Sequence, residues 1–167
     1  MVQTWLPGRE PRPGDWPAVA AALSRIHQLT AGWPQRPGFA ATTELLIAER
    51  GGDVDLPTMP AGAVAACRAA WAGLRGSAQA VIHGDPGPAN VRITSDGAGL
   101  LDWDEARVDS TDLALAELPG HYLPPGRLAL ARAAATAWEA ASGWTTEPSY
   151  ARRQLALLQA GRDSLGS

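Results

Sequence analysis

The residues of this chain best suited to chemistry lie between positions 83 and 104. His83-Gly84-Asp85 opens a proline-rich loop, Asn90 follows five positions after Asp85, and Asp102 comes twelve positions after Asn90 in Leu101-Asp102-Trp103-Asp104. An Asp, an Asn and a second Asp supply one possible base and two oxygen ligands for a hard cation. Phosphoryl transfer from a nucleotide to a hydroxyl needs such a set. One carboxylate orients the hydroxyl, while an Asn and an Asp hold Mg²⁺ on the phosphates.

Local sequence has to bring these groups together. Ala80-Val81-Ile82 is a short apolar run that predicts a buried strand end before His83. Pro86 and Pro88 exclude regular structure, so Asp85 is expected on a stiff loop. Val91 and Ile93 alternate with Arg92 and Thr94, which predicts a half-buried strand. Ser95-Asp96-Gly97 then predicts a hairpin turn, and Gly99-Leu100-Leu101-Asp102 the returning strand. A three-residue turn centred on Asp96 pairs Asn90 with Asp102 at the open end of the hairpin, beside the loop that carries Asp85.

His83-Gly84-Asp85, Asn90 and Leu101-Asp102-Trp103 together resemble the catalytic and metal motifs of the aminoglycoside phosphotransferase family. That family includes choline-kinase-like enzymes and is built on the protein-kinase fold. The resemblance implies Asp85 as the catalytic carboxylate, Asn90 and Asp102 as Mg²⁺ ligands, and ATP as the phosphoryl donor. Asp112, in Asp112-Leu113-Ala114, matches a family position where a buried carboxylate braces the catalytic loop. Asp15-Trp16 through Leu23-Ser24-Arg25-Ile26-His27 resembles the first helix of the family's C-terminal lobe, and Trp5-Leu6-Pro7-Gly8-Arg9 the segment just past the interlobe hinge. The match runs from about residue 5 to about 120.

All fourteen basic residues are Arg, and no G-x-G-x-x-G occurs. Kinases of this fold hold the phosphates with a strand Lys and its Glu partner in an N-terminal lobe. The chain is therefore expected to be the C-terminal lobe alone, residues 1–167, with the N-lobe absent. The fold class expected is α+β and mainly α-helical, with a small β-hairpin carrying the motif. The activity implied is that of an ATP-dependent small-molecule O-phosphotransferase. Two other readings stay open: a non-catalytic remnant or binding module of the same fold, and a half-enzyme completed by a separate N-lobe.

The remaining segments read as helices and breakers. Residues 1–14 carry Pro7, Gly8, Pro11, Pro13 and Gly14 and form an irregular lead-in. Asp15 is a possible N-cap for a helix whose face carries Trp16, Val19, Leu23, Ile26 and His27. Thr43 is placed to cap a short helix from Glu44 to Glu49, ended by Gly51-Gly52. Pro60 opens a helix striped by Val64, Cys67, Trp71 and Leu74 that ends near Gly76. Further helices are expected over 111–118, 126–142 and 148–160, with 161–167 a frayed tail.

The 167 residues suit one domain, and hydrophobic content of 46% with 19% charged residues supports a packed core. A net charge of −3 gives no support for nucleic-acid or anionic-membrane partners. With one Cys and no signal or membrane-length apolar run, the cytoplasm is the expected location. His83 is read as shaping the loop through hydrogen bonds, because Asp85 fills the base role. Asp104 and Glu105 are read as a solvated acidic face, Cys67 as core, and Trp103 as packing beneath the loop. After Glu105 the acidic residues are matched by arginines along the chain. That tally does not favour a cationic substrate, and the acceptor is expected to be a small hydroxylated molecule.

Overall fold

Apolar side chains recurring at three- and four-residue steps place about half of the described residues in helices. The structure, a computed structural model, describes residues 7–163. In chain order it contains helix α1 (Trp16–Thr30), strands β1 (Arg50–Gly51) and β2 (Val54–Asp55), helix α2 (Ala61–Ala72) and strands β3 (Gln79–Ile82), β4 (Val91–Thr94), β5 (Gly97–Leu100) and β6 (Arg107–Ser110). Helices α3 (Thr111–Ala116), α4 (Pro125–Ser142) and α5 (Pro148–Asp163) follow. The strands form three two-stranded antiparallel pairs, β1–β2, β3–β6 and β4–β5. The fold is α+β and mainly helical, with small antiparallel sheets. No described helix is long and apolar enough to cross a membrane.

The core sits where α2, α4 and α5 pack together and where α1 covers β3. Helix α4 buries Ala131, Ala134, Ala137, Ala140 and Ala141, and these small side chains let α2 come close. Trp71 Nε1 donates to the carbonyl of Ala134 at 3.3 Å, and Cys67 Sγ lies 3.6 Å from the carbonyl of Ala137. Both side chains are fully buried, and burial pushes the Cys67 thiol up to about 11. A buried indole needs a partner for its N–H, and the alanine face provides one.

A second, polar anchor holds the sheet to the rest. Asp109, on β6, is fully buried and accepts four hydrogen bonds: from Thr42 N (3.0 Å), Thr42 Oγ1 (2.7 Å), Arg107 Nε (3.1 Å) and Ser110 N (2.8 Å). A buried carboxylate with that many donors is fixed in place.

Several expected elements differ. Asp15 does not cap α1, because its own backbone is already helical. It closes a short 3-10 turn, Pro13–Asp15, and its carboxylate accepts from Arg12 N and pairs with Arg9. The lead-in is not wholly irregular either, since Arg9 makes an antiparallel bridge to Ile93. Trp5 and Leu6 lie outside the described residues. The helix expected over 44–49 is a single 3-10 turn, Glu44–Leu46, whose Glu44 carboxylate turns back to accept from Ala41 N at 2.6 Å. Gly51 belongs to a strand instead, and a Cβ there would lie 2.3 Å from Ala40 Cβ. Helix α2 ends at Ala72, about one turn early, and α5 continues past 160 to Asp163.

The register of the central hairpin is shifted by one. Thr94 pairs with Gly97 and Val91 with Leu100, so the turn has two residues, Ser95 and Asp96, rather than three. Asn90 therefore faces Leu101, whose N–H donates to the Asn90 carbonyl at 2.8 Å, and Asp102 falls one position beyond. Gly97, at φ +129°, already begins the strand, and Asp96 N donates to Thr94 Oγ1 at 3.1 Å to close the tighter turn.

Truncating Trp71 to Ala should lower stability by about 3–5 kcal/mol, the usual loss for a fully buried large aromatic. Urea unfolding of the two proteins measures it, and a loss below about 1 kcal/mol would contradict the packing described.

Candidate functional site

The loop from His83 to Asn90 is pinned from below by a buried ring. His83 is fully buried, with Nε2 at 2.7 Å from the Leu101 carbonyl. The backbone N–H of Asp85 donates to its Nδ1 at 3.3 Å. An acceptor on one side and a donor on the other fix the tautomer, so Nε2 carries the proton and Nδ1 the lone pair. Burial lowers the pKa of His83, against opposing effects of the Leu101 carbonyl and the nearby Asp85 and Asp102 charges. The ring therefore stays neutral and serves as a brace. Trp103 packs on it with ring centroids 4.6 Å apart. Gly84, at φ +97°, cannot be anything larger, since a Cβ there would lie 2.6 Å from Glu105 Cβ.

Asp85 and Asn90 touch. Asn90 Nδ2 donates to Asp85 Oδ2 at 2.9 Å and to the Asp85 carbonyl at 3.0 Å, and Gly87 N donates to Asp85 Oδ1 at 3.2 Å. Both partners of the Asn90 amide are acceptors, so its nitrogen must face them and its Oδ1 points away. Asp102 is exposed and has φ 57°, in the left-handed region that Asp tolerates better than most residues. Its charge, like that of Asp85, acts on both His83 and Glu105, and it directly follows Leu101, whose carbonyl lies 2.7 Å from His83 Nε2.

These donors suit a hard divalent cation. Asn90 Oδ1 and the Asp102 carboxylate are oxygen ligands, and no described hydrogen bond occupies either. Among the described residues no cluster of three His, Cys, Asp or Glu side chains could hold a metal unaided. A cation here would depend on water or phosphate oxygens for its remaining ligands, as Mg²⁺ commonly does.

Asp85 also opens on a cleft of about 880 Å³, whose other walls come from the 116–117 segment, α4 and the α4–α5 connection. Six carboxylates line it (Asp53, Asp85, Glu105, Glu117, Glu139 and Glu147) against one cation, Arg132. Tyr150 Oη donates to Glu139 Oε2 at the same wall. Glu117 is exposed along the cleft, with protein crowding its inner side. Burial pushes it up to about 8, Arg107 opposes the rise, and Asp85, Glu139 and Glu105 reinforce it. Glu105 is raised too, chiefly by burial.

Sequence reasoning singled out Asp85, Asn90, Asp102, His83 and Asp112. His83, Asp85 and Asn90 are joined by hydrogen bonds on one loop, and Asp102 directly follows Leu101, whose carbonyl His83 binds. Asp112 lies elsewhere: it is buried at the start of α3, its N–H donates to Ser110 Oγ, and its carboxylate pairs with Arg127 of α4. None of its described hydrogen bonds reaches the 83–90 loop. The cleft acids Glu117, Glu139 and Glu147 were not singled out. They belong to helices or their ends, and no spacing marks helices from different parts of the chain as sharing a wall.

The family model described as the phosphotransferase enzyme family matches residues 1–154, and the chain belongs to that family. A search of curated proteins finds no match.

Glu117 generates a pH prediction. Its folded value, about 8, lies above its ordinary value of 4.5, so between these the native chain holds a proton that the unfolded chain has released. Its contribution is fully present below pH 4.5 and is lost as pH rises toward 8. Urea midpoints across that range should fall with pH in the parent protein and fall less in Glu117→Gln. Equal slopes in the two proteins would show that Glu117 titrates normally.

Proposed function

We propose that this chain is the C-terminal lobe of an ATP-dependent phosphotransferase that acts on the hydroxyl of a small molecule. The observation that carries the reading is the Asn90–Asp85 contact on a His83-braced loop, at the edge of a cleft large enough for a drug-sized ligand. Membership of the phosphotransferase enzyme family supports the reaction class.

Each side chain has a role in this reading. Asp85 accepts a hydrogen bond from the acceptor hydroxyl, orients it and takes its proton late in the transfer. The Asn90 amide holds the Asp85 carboxylate in one rotamer, so that the base does not have to be ordered during reaction. Asn90 Oδ1 and Asp102 are the groups that would hold Mg²⁺. When bound, the cation neutralises charge on the nucleotide's phosphates. His83 stays neutral and fixes loop height.

The cleft's charge narrows the acceptor. Along the sequence, acids and arginines balance, but folding places six acidic side chains in the cleft against a single Arg132, and five remain beside it even with Glu117 protonated below about pH 8. An amine-bearing alcohol suits that field better than a neutral or anionic one.

The experiment is phosphoryl transfer from Mg²⁺·ATP to amine-bearing polyols by this lobe joined to a kinase N-terminal lobe, with neutral polyols of equal size as comparison, followed by ³¹P NMR. Asp85→Asn should lower kcat about 10²–10⁴-fold with little change in nucleotide affinity. Unchanged kcat in a variant with parent-like circular dichroism would remove Asp85 from the role of base. Nucleotide binding without transfer to any acceptor would favour the binding-module reading instead.

A further inference from the structure

Arg107 has no place in the roles above, yet it is a charged side chain almost wholly enclosed next to the cleft. It is 3% exposed. Nε donates to Asp109 Oδ2 at 3.1 Å, Nη1 donates to the Glu105 carbonyl at 3.4 Å, and the guanidinium carbon lies 3.4 Å from the centre of the Trp138 ring. Trp138 and Glu105 both line the cleft, whereas Arg107 does not, so it forms a second layer behind the wall.

We infer that Arg107 is a positioning residue for the cleft: moored on Asp109, its guanidinium holds the Trp138 ring and the Glu105 segment in place and presents a positive charge behind the carboxylates. The inference rests on the reading of this cleft as the acceptor site. The mooring is stiff because Asp109 is itself fixed by Thr42 and by the Ser110 backbone. Packing alone does not need an ion pair here, since buried pairs often contribute little net stability compared with apolar residues of the same volume. The guanidinium does what an apolar residue does not. Its plane stacks on an indole while its edge makes directed bonds to a carboxylate and a carbonyl.

The charge has a second consequence. Glu117 is pressed by Asp85 and Glu105 from the two loops and by Glu139 from α4, with Glu147 and Arg132 on the same cleft. Arg107 is the cation that opposes them at Glu117. Removing it leaves the acids facing one another and drives protons onto the cleft.

The test uses the full chain labelled with ¹³C at Glu carboxyls and with 5-fluorotryptophan, in Arg107→Met and Arg107→Lys. Glu117→Gln and Trp138→Phe assign the two resonances. In Arg107→Met the Glu117 titration midpoint should rise by about one pH unit or more, the usual effect of losing a close opposite charge, and the Trp138 fluorine signal should move. In Arg107→Lys the midpoint should stay near that of the parent while the Trp138 signal still moves, because an ammonium has no planar face to stack. If Arg107→Met does not fold, the Lys variant decides alone, and an unmoved Trp138 signal there overturns the inference. So does a lowered urea midpoint with both NMR readouts unchanged, which is what a purely structural ion pair would give. Neither readout involves ATP or an acceptor, so this inference and the proposed reaction fail separately.

Discussion

One buried hydrogen bond, from His83 Nε2 to the carbonyl of Leu101, sets the relation between the two chain segments of the site. His83 opens the loop of Asp85 and Asn90, and Leu101 immediately precedes Asp102. A neutral imidazole with no access to water has few alternatives to that bond, so losing it would leave two buried polar groups unpaired. The loop's height, the left-handed turn at Asp102 and the cover of Glu105 over Gly84 all follow from keeping these segments in contact. Asn90 then needs only its own short 3-10 turn, Pro88–Asn90, to reach back to Asp85.

The charges are sorted by depth. Carboxylates face the cleft, while the cation behind them, Arg107, lies in the second layer with Asp109 as its fixed partner. This arrangement gives the cleft a negative field without leaving its acids wholly unbalanced. Burial raises Glu117, Arg107 opposes the rise, and the neighbouring acids reinforce it. Exposed pairs such as Arg50–Asp55 add little to either stability or field.

Much of this was legible in the sequence because it is local. The helical faces of α1 and α2 follow from apolar spacing, and the loop from Pro86 and Pro88. The contact between Asp85 and Asn90 belongs to the loop before a hairpin that the sequence marks, although the pairing is shifted by one residue and sets Asn90 against Leu101 rather than Asp102. That error has a local cause: Ser95-Asp96-Gly97 reads as a three-residue turn unless Gly97 is known to be in the strand. Other features were not legible because they depend on distant partners. Strand β6, Arg107–Ser110, is too polar to read as buried, and it is buried only because Arg107, Asp109 and Thr42 satisfy one another across the fold. The acidic cleft was hidden for a similar reason. A tally along the chain matches the acids with arginines, but α4 and the α4–α5 connection bring Glu139 and Glu147 to the cleft wall, and Arg152 does not line it.

In the proposed reading, Asn90 and Asp102 would hold one divalent cation beside Asp85. Paramagnetic broadening by Mn²⁺·ADP, read on the amide resonances of the parent protein and of Asp102→Asn, tests it most directly. The expected result is selective loss of signal at the Asn90 side-chain amide, Gly87 and residues 102–103 at low Mn²⁺, with the effect weakened at least severalfold in Asp102→Asn. Broadening centred elsewhere, or equal broadening in both proteins, would contradict a cation site at these residues.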